Sequence, residues 1–254
     1  MILLSPSKGQ DFGPIDLTAA ASEPAFVEES ETLIRALSHY DEADLAQLMA
    51  LSPALAERTR AGIRALATGA APSKPALLAY SGEAFRAMHP QAYGADELNF
   101  AQQQVRILSG LYGCLRPLDR IRPHRLEMAT RLPVEQARDL YTFWGVRITA
   151  LLNSELDKQA HPVLVNLASE EYSRVVRKRQ LHAPWLDIQF KEEAGGRLRS
   201  VAVFAKRARG LMADFCIRGR ITEPDALKRF TGLGYVFRPD RSTDASWLFT
   251  RTAG

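Results

Sequence analysis

The residues with chemical reach in this 254-residue sequence are two cysteines, five histidines, a few acidic pairs and a set of clustered cations. Cys114 is the one tempting nucleophile, because Arg116 two residues on is placed to favour its thiolate and so its reactivity towards peroxide. Against that, its neighbours Tyr112 and Leu115 read as the surroundings of a buried, inert thiol. His39, His89, His124, His161 and His182 never fall at HxH, HxxxH or ExxH spacing, so no helix face presents a metal pair, and no metal site is expected. Glu170-Glu171 offers a general base or a cation ligand, but with Ser169 it equally reads as the start of a helix. Neither GxGxxG nor GxxxxGK(S/T) occurs, and there is no GxSxG elbow, so phosphate cradles and nucleophile elbows of known pattern are excluded and no cofactor is expected.

The cations are the stronger signal. The formal net charge is only +4, yet residues 1 to 60 carry 10 acids against 4 Lys and Arg, so the excess of positive charge lies later. It concentrates at Arg106, Arg116, Arg120, Arg122, Arg125 and Arg131, and again at Arg174, Arg177, Lys178, Arg179, Lys206, Arg207 and Arg209. Such clusters are either a solvated face or a phosphate-binding surface.

The elements that would position these groups follow from periodicity and punctuation. Ile2-Leu3-Leu4 predicts a short buried strand, stopped by the turn Ser5-Pro6-Ser7-Lys8-Gly9, and residues 10 to 25 predict a loop. Helical spacing runs through Phe26 to Leu37, Leu45 to Met49 and Leu55 to Leu66, and the last two helices are joined so closely that they predict a helical hairpin at about 41–67. Ala76 to Tyr80 reads as a strand, Leu98 to Leu108 as a helix ending at Gly110, and residues 116–138 as a Pro- and Arg-rich irregular segment. An amphipathic helix is expected over Leu140 to Leu152 and a buried strand over 163–167. A hairpin turning at Ala194-Gly195-Gly196 should pair 185–193 with 197–205, before a helix from about Arg207 to Arg218 and a last strand pair near Tyr235 and Leu248. The result is a mixed α/β (α+β) fold, one domain over 1–254 with a mixed sheet and surrounding helices. The opening residues lack the basic flank of a secretory signal, no apolar stretch reaches the roughly 18 residues of a membrane span, and two distant cysteines fit a reducing compartment. A cytoplasmic protein with no membrane partner is expected.

Several longer runs carry a resemblance. Leu108-Ser-Gly-Leu-Tyr-Gly113, Leu115-Arg-Pro-Leu-Asp119, Pro123-His-Arg-Leu-Glu-Met128, Asp139-Leu-Tyr141 with Phe143-Trp-Gly145, Asn166-Leu-Ala-Ser169 with Glu171-Tyr172, and Ala205-Lys-Arg-Ala-Arg-Gly-Leu-Met212 resemble, in this order, the YaaA family. That likeness implies resistance to hydrogen peroxide, lowered intracellular iron under that stress, and duplex-DNA binding through a basic cleft and a helix-hairpin-helix element. Carried onto this sequence, the element spans Leu45 to Arg60, with Ser52 as cap, Pro53 in the first turn and Ala54 among the residues whose N–H groups meet a phosphate, although the turn lacks the usual glycine. The implied cleft draws on Lys8, Arg116, Arg125, Lys206, Arg207 and Arg209, and gives affinity without reading bases. The family motif places an aliphatic residue at Cys114, so a shared peroxidatic cysteine is not implied. This makes a non-enzymatic, sequence-tolerant binding protein, its oligomeric state left open and a monomer compatible with the reading, acting by shielding DNA or through iron availability. The alternative from the residues is an enzyme in which Ser5, Lys8, Asn166, Ser169 and Glu170 surround an anionic small molecule or nucleotide.

Overall fold

The computed structural model describes residues 1–15 and 21–252, so the loop expected over 10–25 falls partly outside the described residues. In chain order the elements are β1 (Ile2–Leu4), α1 (Val27–Ser38), α2 (Glu42–Met49), α3 (Pro53–Ala67), β2 (Lys74–Pro75), α4 (Ala76–Ala79), α5 (Glu83–Met88), α6 (Ala95–Gln104), β3 (Val105–Ser109), β4 (Gly113–Leu115), β5 (Arg120–Ile121) and α7 (Leu140–Leu156). Then follow β6 (Leu164–Asn166), α8 (Glu170–Ser173), β7 (Trp185–Ala194), β8 (Arg197–Arg199), α9 (Ala202–Arg218), β9 (Val236–Phe237) and β10 (Ser246–Thr252). An eight-stranded mixed sheet runs β4-β3-β1-β6-β7-β10-β9 with β8 on β7, and β2 pairs β5 in a separate two-stranded sheet. The fold is a single α/β domain whose apolar cluster runs from Met1 to Phe249.

β1 explains the layout. Its three residues are all apolar and all buried, the composition of a strand covered on both faces. It lies parallel to β3 on one side, Ile2 opposite Val105, and parallel to β6 on the other, Ile2 opposite Val165. β6, β7 and β10 continue the parallel run. Between β3 and β6 the chain crosses over β1 by way of α7, whose Trp144 is fully buried and donates from Nε1 to the Gly110 carbonyl at 2.9 Å. The strand order therefore reverses at β1, and the crevice at the carboxyl end of such a strand is where open α/β sheets take ligands.

Three expectations are corrected. Ala76 to Tyr80 is not a strand; only Lys74–Pro75 pairs with β5, and the next residues close the one-turn α4 while Ala76 and Leu77 N–H groups bond the Asp119 and Pro117 carbonyls. The helix ends at Gln104, and Val105–Ser109 is a fully buried strand, because a short apolar run looks alike in either state until a neighbour such as β1 claims it. The hairpin after Gly196 retains a strand of only three residues, and 202–205 are the beginning of α9 rather than strand, with Val201 as its cap. α5, β4 and β5 are not expected from the sequence, β5 lying inside the segment read as irregular; α1, the hairpin α2–α3, α7, β6, β7 and the β9–β10 pair fall where the sequence puts them.

Candidate functional site

The loop leaving β1 is pinned to both sides of the sheet by serine side chains. The Ser5 hydroxyl donates to Ser169 Oγ at 3.2 Å and accepts from the Ser169 N–H at 2.8 Å, tying the loop to the end of β6. Ser7 Oγ accepts from the N–H groups of Ser81 and Gly82 at 3.1 and 3.0 Å, tying it to the start of α5. A side chain on Gly82 has no room, since its Cβ would lie 2.5 Å from Ser7 Cβ. α5 in turn packs on α9 so closely that a Cβ at Gly210 would meet the Ala84 carbonyl oxygen at 2.0 Å. Hence the loop 5–9, the start of α5, the end of β6 and the second turn of α9 form the rim of one cleft.

That cleft has a volume of about 530 Å³, and Ser5, Ser7, Lys8, Glu83, Arg86, Ser169, Glu171, Lys206 and Arg209 supply its polar lining. Pro6, Phe85, Leu167 and Tyr172 give it apolar walls. From Lys8 the concavity continues past Tyr80, His124, Arg125 and Glu127, and then along α3, where Leu55, Arg58, Thr59 and Gly62 line a further 420 Å³. A separate cleft of about 650 Å³ lies by α1, but its Arg120 and Arg122 are engaged with Ser73 and with the Gly69 and Ala71 carbonyls.

Pairing decides which cations are available. Lys8 Nζ lies 2.8 Å from Glu127, and Arg125 3.7 Å from the same carboxylate, so one acid serves two cations. Arg207 donates from Nε to Glu83 at 2.6 Å, and this bond, followed by that from Arg86, draws the Glu83 carboxyl below its usual range. Lys206 is exposed with no ion pair among the described residues. Arg209 is different: its Nε is buried without a hydrogen-bond partner, and burial lowers the pKa of its guanidinium. Glu171 Oε1, also on the cleft, is buried and likewise without a partner. His124 sits edge-on to Tyr112 at 5.1 Å, its Nδ1 is 2.8 Å from the Arg122 carbonyl and so carries the proton, and burial pushes its pKa down to about 4.

The structure thus brings Ser5, Lys8, Ser169, Lys206 and Arg209 into one cleft, with Arg125 beside it, uniting residues from both sequence readings. It leaves others out. Arg116 turns to Asp119, 3.0 Å away, and to the Glu23 carbonyl. Arg207 is held by Glu83 and does not line the cleft. Asn166 donates to Asp187 at 2.7 Å and accepts from the Ala168 N–H, a structural role between β6 and β7. Glu170 is exposed and off the cleft, and Glu171 stands there instead. In the hairpin, Ala50 takes a left-handed conformation with φ 50°, which supplies the turn without glycine. Ser52 occupies the cap position with extended backbone, yet its hydroxyl makes no capping bond; its carbonyl accepts from Leu55 and Ala56, leaving the exposed Ala54 N–H facing solvent. Arg58, Ser7 and Glu127 escaped the sequence reading, and only the phase of α3 pointed to Arg58.

Both thiols are inert by environment. Cys114 and Cys216 are buried, and burial pushes each up to about 12, the Arg106 and N-terminal charges notwithstanding. Arg116, spent on Asp119, does not activate Cys114. Among the described residues no three His, Cys, Asp or Glu side chains gather as a metal site, and no helix is long and apolar enough to cross a membrane.

Similarity to known proteins covers the chain from end to end. A family model described as peroxide stress protein YaaA matches residues 1–241. A UPF0246 protein of Dechloromonas aromatica is 42% identical over 253 residues, 99% of this chain and 98% of its own. Another from Ralstonia nicotianae is 44% identical over 255 residues, 100% of this chain and 99% of its own, and one from Acaryochloris marina is 41% identical over 256 residues, 99% of each.

Proposed function

This chain belongs to the family of peroxide stress protein YaaA, and from that we propose that it serves the peroxide response by holding duplex DNA along its groove, through phosphates and without reading sequence. The observation that carries the reading is that three adjoining clefts share Lys8 in their linings and together reach from the first half of α3 to α9, which we take as one groove. Lys8, Arg58, Arg86, Arg125, Lys206 and Arg209 line it against Glu83, Glu127 and Glu171, so cations outnumber acids six to three and an anionic polymer is attracted. The α3 N-terminus adds a helix dipole and the free Ala54 N–H at one end. Such contacts position a duplex but carry no base information, so unrelated sequences should bind alike. With both thiols buried, protection in this reading comes from occupying DNA and not from reducing peroxide.

The test is Ala54→Asp. The residue is exposed, so the fold should persist while a carboxylate faces any phosphate at the helix start. Gel-shift affinity for two unrelated duplexes should fall by about tenfold, the effect of roughly 1.4 kcal/mol of repulsion. Equal affinity in a variant of unchanged melting temperature reduces residues 41–67 to a structural hairpin.

A further inference from the structure

Two side-chain atoms in the inner cleft are buried without a partner, and they are opposite in kind. Arg209 Nε is a charged donor with no acceptor, and Glu171 Oε1 is an acceptor with no donor. Native structures pair such groups, because a buried unpaired polar atom loses its water for nothing. The backbone that carries Arg209 is held close to α5, since a Cβ at the neighbouring Gly210 would meet the Ala84 carbonyl oxygen at 2.0 Å. The pair therefore suits a ligand with two complementary groups: an anionic group that a guanidinium grips through Nε and a terminal nitrogen, and an N–H donor for the carboxylate. Phe85 and Tyr172 also line the cleft and give it aromatic walls that suit a flat body, and a volume of about 530 Å³ admits one far larger than an amino acid. Phosphate, planar ring and N–H edge occur together in a nucleotide.

We propose that the inner cleft holds a single nucleotide unit, with its phosphate on Arg209 and the N–H edge of its base on Glu171. The choice of a nucleotide over other ligands of this polarity rests on the groove being a DNA surface, which opens into the cleft at Lys8. Guanine, with two adjacent N–H donors on one edge, suits a carboxylate best. The unit has two sources, a free nucleotide or one turned out of a strand lying in the groove.

Calorimetry of the full chain with dGMP, dAMP, dCMP, dTMP, deoxyribose 5-phosphate and inorganic phosphate decides the chemistry. Tighter binding of dGMP than of deoxyribose 5-phosphate is expected, with Arg209→Ala weakening both by about tenfold or more and Arg209→Lys restoring part of it. Glu171→Gln should weaken dGMP alone. In parallel, a duplex with one 2-aminopurine opposite an abasic site is titrated, reading fluorescence for extrusion and gel shift for duplex affinity. A fluorescence rise that Glu171→Gln abolishes at unchanged duplex affinity assigns the unit to a strand; dGMP binding without that rise assigns it to a free nucleotide. Nucleotides that bind no better than phosphate, together with a silent 2-aminopurine duplex, overturn the proposal, as does binding indifferent to Glu171. Absent duplex affinity with dGMP still bound sinks the groove reading and leaves the cleft standing.

Discussion

The groove reading makes a quantitative statement about salt. Lys8, Arg58, Arg86 and Lys206 are its exposed cations, spaced from α3 to α9; Lys8 is paired with Glu127 and Arg86 with Glu83, which leaves Arg58 and Lys206 with no ion pair among the described residues. Each lysine or arginine that neutralises a phosphate steepens log affinity against log salt by about 0.9, so a fourfold rise in salt weakens binding about 3.5-fold per contact. Replacing Arg58 and Lys206 by alanine should flatten the slope by about 1.8, or roughly 12-fold in affinity over that interval, and adding Lys8→Ala brings it to at most about 2.7, or roughly 40-fold. Lys8 counts for less than a full contact because it must leave Glu127 to meet a phosphate. Fluorescence anisotropy of a labelled duplex from about 50 to about 200 mM salt measures it, with Arg116→Ala as the control that leaves the slope intact, its guanidinium being held by Asp119 away from the groove. A triple variant that melts like the parent and keeps the parental slope refutes the argument, and so does an Arg116→Ala variant that flattens it as much.

The thiols should be slow to alkylate in the native protein at pH 8 and react fully in denaturant, and Cys114→Ser with Cys216→Ala should retain peroxide protection; fast native labelling would show the burial to be wrong. His124 titrates near 4 when folded against about 6.5 unfolded, so the unfolded chain binds the extra proton between those values, and stability present above about pH 6.5 is lost as pH falls towards 4, by on the order of 2–3 kcal/mol. Chemical denaturation across that range should show the slope, and His124→Phe should flatten it. Gly210→Ala should destabilise by about 1–3 kcal/mol as α9 is pushed off α5, lowering the melting temperature; no loss would mean the helices slide freely.

The sequence is most informative where a segment's own pattern settles its state. The helices α1 to α3 show one-sided apolar periodicity openly, β1 is an unbroken apolar run, and the turn between α2 and α3 is legible although a left-handed Ala50 replaces the expected glycine. It misleads where a partner decides the state: Val105–Ser109 is strand because β1 lies beside it, and 202–205 join a helix because α5 offers a backbone to pack on. The site shows the same division. Ser5, Lys8 and Ser169 stand at strand ends and were found, but Asn166 is claimed by Asp187 on the neighbouring strand, which no local pattern announces. Glu170 and Glu171 differ by one step on a helix, about 100° of rotation, and that step separates solvent from the cleft.

The position of β1 also governs how the molecule assembles in time. Its few residues find their partners in Val105 and Val165, roughly 100 and roughly 160 positions further along the chain, so the middle of the sheet is built from contacts with a large loop-closure entropy. During synthesis Ile2, Leu3 and Leu4 have no strand to join until β3 has emerged, and none on their other side until β6 follows, when well over half of the protein has left the ribosome. α1 to α3, whose contacts are local, are then the part free to form first, and the sheet closes late and cooperatively around a strand that waited for it. Pulse-labelled hydrogen exchange during refolding should find the helical amides protected before those of β1 and β6.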